Sequence, residues 1–233
     1  MDNAARIRQR VLALFLPIAA VLYISAEALS PKGTDQVITT TATALKVLPI
    51  AARHPTQLYV AGSLALLALG ALAVSYAAIA ALVRNRGSAL ATVAALIGGV
   101  GAFCGAITNV LVYPNLAAAA TAHLTPDAAA RFLVTTFNSW FGQVFLYAYL
   151  IGQYVAPLLM GYALWRSRSV PRWLAALFVV GLYLAEIQSS GGAIVILYML
   201  PFAAAMILLA VRIWSATARP ASQPQPKPAS VAV

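Results

Sequence analysis

Only five acidic residues occur among 233, and charged residues of both signs make up just 9% of the chain. A soluble domain carries about 25%, so an ordinary water-facing surface is excluded for most of this sequence. Cysteine is nearly missing as well. Cys104 stands alone in an apolar run, which rules out an intramolecular disulfide and fits a small hydrophobe packed between helices. The two histidines, His54 and His123, fall outside the apolar runs. A b-type haem held by two histidines inside a bundle is therefore excluded. No lysine lies in an apolar run, so a buried Schiff base to retinal is excluded too. There is no H-E-x-x-H, no G-x-S-x-G and no Gly-rich phosphate loop. The spacing of the acids and histidines supports no metal site, and no cofactor is expected. Matched pairs of broken helices, common in transporters, are not visible.

Long apolar runs fill the space these absences leave. Hydrophobic residues make up 62% of the chain, and several runs exceed the ~18 residues of a spanning segment. The expected fold class is all-α, a polytopic membrane bundle with six transmembrane helices over residues 11–29, 57–83, 88–112, 140–165, 173–190 and 193–211. These runs belong to one domain, residues 1–216. The Pro/Ala/Ser-rich end, residues 217–233, cannot bury a core and reads as a disordered cytoplasmic tail.

The formal net charge of +10 would suggest nucleic acid in a soluble protein. Here the cations alternate with the gaps between runs. One side takes Arg6, Arg8, Arg10, Arg84, Arg86, Arg166, Arg168, Arg172, Arg212, Arg219 and Lys227; the other takes Lys32, Lys46, Arg53 and Arg131. This is the positive-inside pattern, and it places both termini in the cytoplasm with no role in nucleic-acid binding. The first run also resembles a signal peptide with a small-residue site at Ala26-Glu27-Ala28. Its length favours retention as the first span.

Two outer segments carry helical signals of their own. Across residues 35–52, Val37, Thr41, Leu45, Leu48 and Ala52 recur at helical spacing, with Lys46 and Arg53 off the stripe, as in a helix lying on the leaflet. Across residues 126–137, Thr125 at the N-cap, Pro126 at N1 and Asp127 in the first turn mark a helix start. "GGVGAFCG" in the third run holds Gly101 and Gly105 as GxxxG, with Gly98 and Ala102 at the same spacing. Packing within the chain explains this motif better than dimerisation does in so Ala-rich a sequence. Pro157 and Pro201 imply kinks.

The polar residues inside the runs are few and gather toward one face. Glu186 follows Arg172 by fourteen positions, about 21 Å of helix, short of crossing a ~30 Å hydrocarbon core. Glu27 follows Arg10 by seventeen positions, about 25 Å. An uncompensated charge near the bilayer centre costs at least ~2.5–3.5 kcal/mol, so Glu186 calls for a partner, water or a proton. Gly191 and Gly192 place a tight turn beside it, and a polar pocket open to the outside is expected. Its candidate lining is Glu186, Tyr183 and Gln188 from the fifth run, Asn109 and Tyr113 from the third, Gln143 from the fourth and Glu27 from the first. Plainer readings compete: Glu27 as an interfacial acid, Asn109 and Gln143 as interhelical hydrogen bonds, and Glu186 paired with Arg131 or Arg53.

"GYALWRSRSVPRWLA", Gly161 to Ala175, resembles the turn between the fourth and fifth spans in bacterial six-span proteins classed as domain of unknown function 4386. The resemblance implies a bacterial cytoplasmic membrane location and carries no catalytic residues. With no second catalytic group near Glu186, a non-enzymatic role is expected: binding or transport of a small amphiphilic or cationic ligand or lipid. An accessory subunit of a membrane complex is the alternative, followed by an enzyme acting on lipid-linked substrates. The expected partners are the lipid bilayer and such a ligand, without nucleic acid, and the sequence leaves the oligomeric state open.

Overall fold

In the computed structural model the chain is helical throughout, with no strand among the described residues, which are 3–34, 38–83, 86–187 and 193–218. For Asn3, Glu186, Ile187, Ala193 and Ile194 only the backbone is described. The helices are α1 (Asn3–Leu29), α2 (Thr41–Arg53), α3 (Pro55–Leu82), α4 (Ser88–Thr121), α5 (Pro126–Asn138), α6 (Trp140–Ser167), α7 (Arg172–Ile187) and α8 (Ala193–Ala218). Five of them, α1, α3, α4, α6 and α8, are long and apolar enough to cross a membrane. The apolar α7 is shorter, with sixteen residues. Residues 219–233, most of the expected tail, lie outside the described residues.

Helix contacts close a ring in the order α1, α3, α4, α6, α7, α8 and back to α1. Its middle is filled by side chains. Tyr76 of α3 meets Phe178 of α7 edge-on, with ring centroids 6.4 Å apart, and Tyr23 of α1 meets Phe202 of α8 in the same way at 6.1 Å. Met160, Met199 and Met206 complete this core and are fully buried. The outward faces remain apolar, with Leu67, Leu96, Phe103, Ile151, Leu158 and Leu197 all more than half exposed. Such a girdle suits hydrocarbon and not water. On α6 the aromatic residues Trp140 and Trp165 are exposed and lie twenty-five residues apart, about 37 Å. That spacing matches the two headgroup levels flanking a ~30 Å core.

Glycine lets the ring close. Gly101 of α4 abuts the backbone of Gly152 of α6, and a Cβ on Gly152 would also stand 3.0 Å from the Ile97 carbonyl. Gly105 faces the Tyr149 ring, and a Cβ on Gly98 would lie 2.7 Å from the Tyr76 ring. The GxxxG segment therefore packs within the chain, against both neighbours of α4.

α4 runs nine residues past the end expected from hydropathy. Pro114 lies inside it, where a proline removes one backbone donor. Gly62 of α3 makes room for that turn, since a Cβ there would stand 3.0 Å from Tyr113 Cβ and 3.2 Å from Pro114 Cδ. With thirty-four residues, α4 is about 51 Å long and overshoots a ~30 Å core. The overshoot carries a cap. α2 and α5 pack on each other and on α4 around a second core that includes Val47, Leu48, Leu58, Tyr113, Leu116 and Leu133.

The start of α2 differs from expectation. Residues 38–40 are not helical, and 35–37 lie outside the described residues. Thr40 is the N-cap, and its hydroxyl accepts from the Thr43 N–H at 3.2 Å. A threonine that satisfies a first-turn donor starts the helix there. α5 begins where its signals predict, with Thr125 accepting from Ala128 N–H at 3.3 Å.

Both described chain ends lie at the pole opposite the cap. Arg10 donates to the Thr217 hydroxyl at 3.1 Å and to its carbonyl at 3.3 Å, joining the start of α1 to the end of α8. Gln9 donates to the Ala81 carbonyl at the end of α3 at 3.4 Å.

Candidate functional site

Of the seven residues expected to line one polar pocket, the structure describes the side chains of Glu27, Asn109, Tyr113, Gln143 and Tyr183. At the cap pole, Ser30 follows the end of α1 and donates to the Tyr113 hydroxyl at 3.4 Å. Tyr113 is buried. Glu27 lies one turn before Ser30 on α1 and is half-buried. Asn109, one turn before Tyr113, donates to the Gly105 carbonyl of its own helix at 2.9 Å.

Gln143 works at the corner between α5 and α6. It donates to the Phe137 carbonyl at 3.1 Å and so satisfies an acceptor at the open end of α5. Asn138 beside it donates to the Thr39 carbonyl at 3.0 Å, fastening α5 to the strand of chain that enters α2. The corner itself is tight. The Ser139 hydroxyl accepts from Gly142 N–H at 3.1 Å, and a Cβ on Gly142 would lie 2.7 Å from the Phe137 carbonyl oxygen. Here glycine is required by the close approach.

Tyr183 lies elsewhere. Its hydroxyl donates to the Tyr154 carbonyl at 2.6 Å, and the two rings sit 5.7 Å apart. Tyr154 follows Gln143 by eleven residues on α6, about 16 Å deeper. The carbonyl lies three residues before Pro157 of α6, next to the turn that loses a backbone donor to the proline. Glu186 occupies the last described turn of α7 by its backbone, and its side chain is outside the described residues. Gln188, Gly191 and Gly192 are outside them altogether. Among the described residues no three acids, histidines or cysteines gather to hold a metal.

A concave surface does occur at the cap, built from apolar residues that sequence reasoning did not bring together. Leu45, Leu48, Pro49 and Ala52 of α2 face Ala119 and Ala120 of α4, with Ala122, Leu124 and Pro126 closing the far side. The groove encloses about 200 Å³. Lys46, Arg53 and His123, next to lining residues in the chain, are exposed. The helical stripe on α2 was its one legible trace. Its opposite wall depends on α4 continuing through Pro114, against the usual reading of a proline.

Two further hollows lie nearer the opposite pole. One, of about 340 Å³, opens between α6 and α7 along Gly161, Tyr162, Trp165 and Val179. The other, of about 160 Å³, is lined by Leu82, Ser169, Arg212, Ser215 and Ala216.

The chain belongs to the family described as domain of unknown function (DUF4386), whose model matches residues 11–216. The matched stretch begins within α1, takes in α2 to α7 whole and ends just before the close of α8. No curated protein and no solved structure matches the chain.

Proposed function

We propose that this protein is a six-span component of a bacterial cytoplasmic membrane, with both termini in the cytoplasm, and that its outer cap binds an amphiphile with an anionic head. α7 is read as the sixth span because it takes a full place in the ring between α6 and α8. Its sixteen described residues cover about 24 Å. The cation asymmetry supports the orientation.

The groove on the cap carries the binding reading. It is apolar, and it opens at the pole to which α4 rises beyond the length of a hydrocarbon core. An apolar tail leaving the outer leaflet would lose little hydrophobic contact on entering it. Lys46 and Arg53 beside the lining favour an anionic head over a cationic one.

The test is native mass spectrometry of the gently extracted full chain with an added fatty acid, comparing Ala52→Trp, which fills the groove from an exposed position. The expected result is a retained fatty acid that Ala52→Trp removes and that Lys46→Gln with Arg53→Gln weakens. Retention unaffected by Ala52→Trp would sink the reading.

A second reading rests on Glu186, fourteen residues from Arg172 on a helix held close to its neighbours. In this reading Glu186, with Tyr183 and Gln188, binds a cationic amphiphile. A long-chain quaternary amine retained by the wild type and lost in Glu186→Gln would favour it over the anionic reading.

A further inference from the structure

Among the described residues, the pole opposite the cap holds arginine without acid. Arg6, Arg8, Arg10, Arg86, Arg166, Arg168, Arg172 and Arg212 all lie there among the described residues. The chain has five acidic residues. Glu27 and Asp127 belong to segments of the cap pole, the backbone of Glu186 lies at the end of α7 that points toward it, and Asp35 lies outside the described residues. Asp2 is the fifth and lies outside the described residues. These eight arginines outnumber all five acids of the chain.

Two of them are engaged within the fold. Arg10 bonds Thr217 and stacks over Trp214 at 5.6 Å, and Arg172 stacks over Trp165 at 5.2 Å. Arg212 is placed differently, because it lines the cavity of about 160 Å³ together with Ser169 and Ser215. Three separate elements build that cavity: the end of α3, the α6–α7 turn and the end of α8. The turn is shaped by Arg168, which closes α6 in the left-handed region with φ 55°.

The two serines now bond locally. Ser215 donates to the Val211 carbonyl at 2.8 Å, and Ser169 shares a 2.9 Å hydrogen bond with the Ser167 hydroxyl. Hydroxyl protons rotate to suit their acceptor, so both can be redirected into the cavity. A planar guanidinium with two hydroxyls is a donor set for a tetrahedral oxyanion.

We propose that the cavity at the junction of α3, the α6–α7 turn and α8 binds a phosphate anion, held by Arg212, Ser169 and Ser215. Its source is either the headgroup of an anionic phospholipid in the adjacent leaflet or dissolved phosphate. Basic pockets between spanning helices take lipid headgroups in this way. The positive-inside pattern explains why arginines are numerous at this pole. It does not explain why one of them shares a recess with two hydroxyls.

The experiment titrates the full-length protein in neutral micelles by thermal unfolding. Phosphatidylglycerol is compared with phosphatidylcholine, and sodium phosphate with sodium chloride at equal ionic strength. Arg212→Gln is expected to weaken the phosphatidylglycerol-dependent stabilisation roughly tenfold in apparent affinity, the scale of one charge-assisted hydrogen bond. Arg166→Gln, an exposed arginine outside the cavity lining, leaves it unchanged. Should Arg212→Gln not fold, Ser169→Ala with Ser215→Ala reads the same site with smaller side-chain changes. A response to phosphatidylglycerol alone identifies a lipid headgroup, and an equal response to sodium phosphate identifies the free anion. Equal losses in Arg212→Gln and Arg166→Gln, or no discrimination between the two lipids and the two salts, would overturn the proposal.

Discussion

The ring and the cap are built from similarly Ala-rich helices and hold together by different means. In the ring, contact is made backbone to backbone through glycine: Gly101 on Gly152, and Gly181 of α7 with a would-be Cβ 2.7 Å from the Phe202 nitrogen of α8. α3 and α4 begin without a side-chain cap, whereas α6 starts on the Ser139 hydroxyl. In the cap, Thr40 and Thr125 close the helix starts, and Asn138 ties α5 to the entry of α2.

The surrounding solvent accounts for the contrast. Hydrocarbon is as apolar as the side chains, so helices in it gain from close fit and not from leaving water. At the cap, where water surrounds the helices, burying an apolar face drives assembly.

The comparison can be broken most forcefully at the ring. Gly101→Leu would push a side chain into the Gly152 backbone, where nothing can rotate away. The expected cost is about 3 kcal/mol or more, the upper end of overpacking, read as earlier unfolding of the micellar protein in denaturant. A change below about 1 kcal/mol would mean that α4 and α6 can separate cheaply.

Next in size is Leu133→Ala, which removes a side chain that is only 3% exposed in the cap core. About 2–3 kcal/mol is expected, with faster amide exchange in α2 and α5 and unchanged exchange in α7 and α8. Equal acceleration in all four helices would show that ring and cap unfold as one unit.

Smaller effects sharpen the contrast. Thr125→Ala should cost about 1 kcal/mol, the usual loss of an N-cap, and the loss should appear as fraying of α5 by exchange. Tyr183→Phe removes the hydroxyl that bonds the Tyr154 carbonyl. About 0.6 kcal/mol is expected, the average for such a bond inside a membrane bundle. A loss as large as that of Leu133→Ala would mean this hydrogen bond does more than the glycine contacts around it.

Much of the fold was legible before any coordinates. The start of α5 followed from Thr125, Pro126 and Asp127, and the bounds of α3 and α6 agree with expectation within two residues. The site was less legible. Asn109 and Gln143 read by sequence either as pocket residues or as interhelical hydrogen bonds; Asn109 bonds a carbonyl of its own helix, and Gln143 bonds the end of α5. Nothing in their spacing distinguishes these uses, because a carboxamide serves a ligand and a backbone carbonyl with the same atoms. Arg212 and Ser169 are forty-three residues apart in the chain and gave no joint signal.

The apolar runs, the cation asymmetry and the helix-start residues determined that this is a membrane-embedded helical bundle with two capping helices, because run length, charge placement and capping are properties of short stretches. Only the tertiary structure decided that α1 sits between α3 and α8, that α4 rises through Pro114 to carry the cap, and that Ser169, Arg212 and Ser215 share one recess. Those outcomes depend on which surfaces far apart in the chain can approach closely, and backbone contact through glycine is settled by the fit of both partners together.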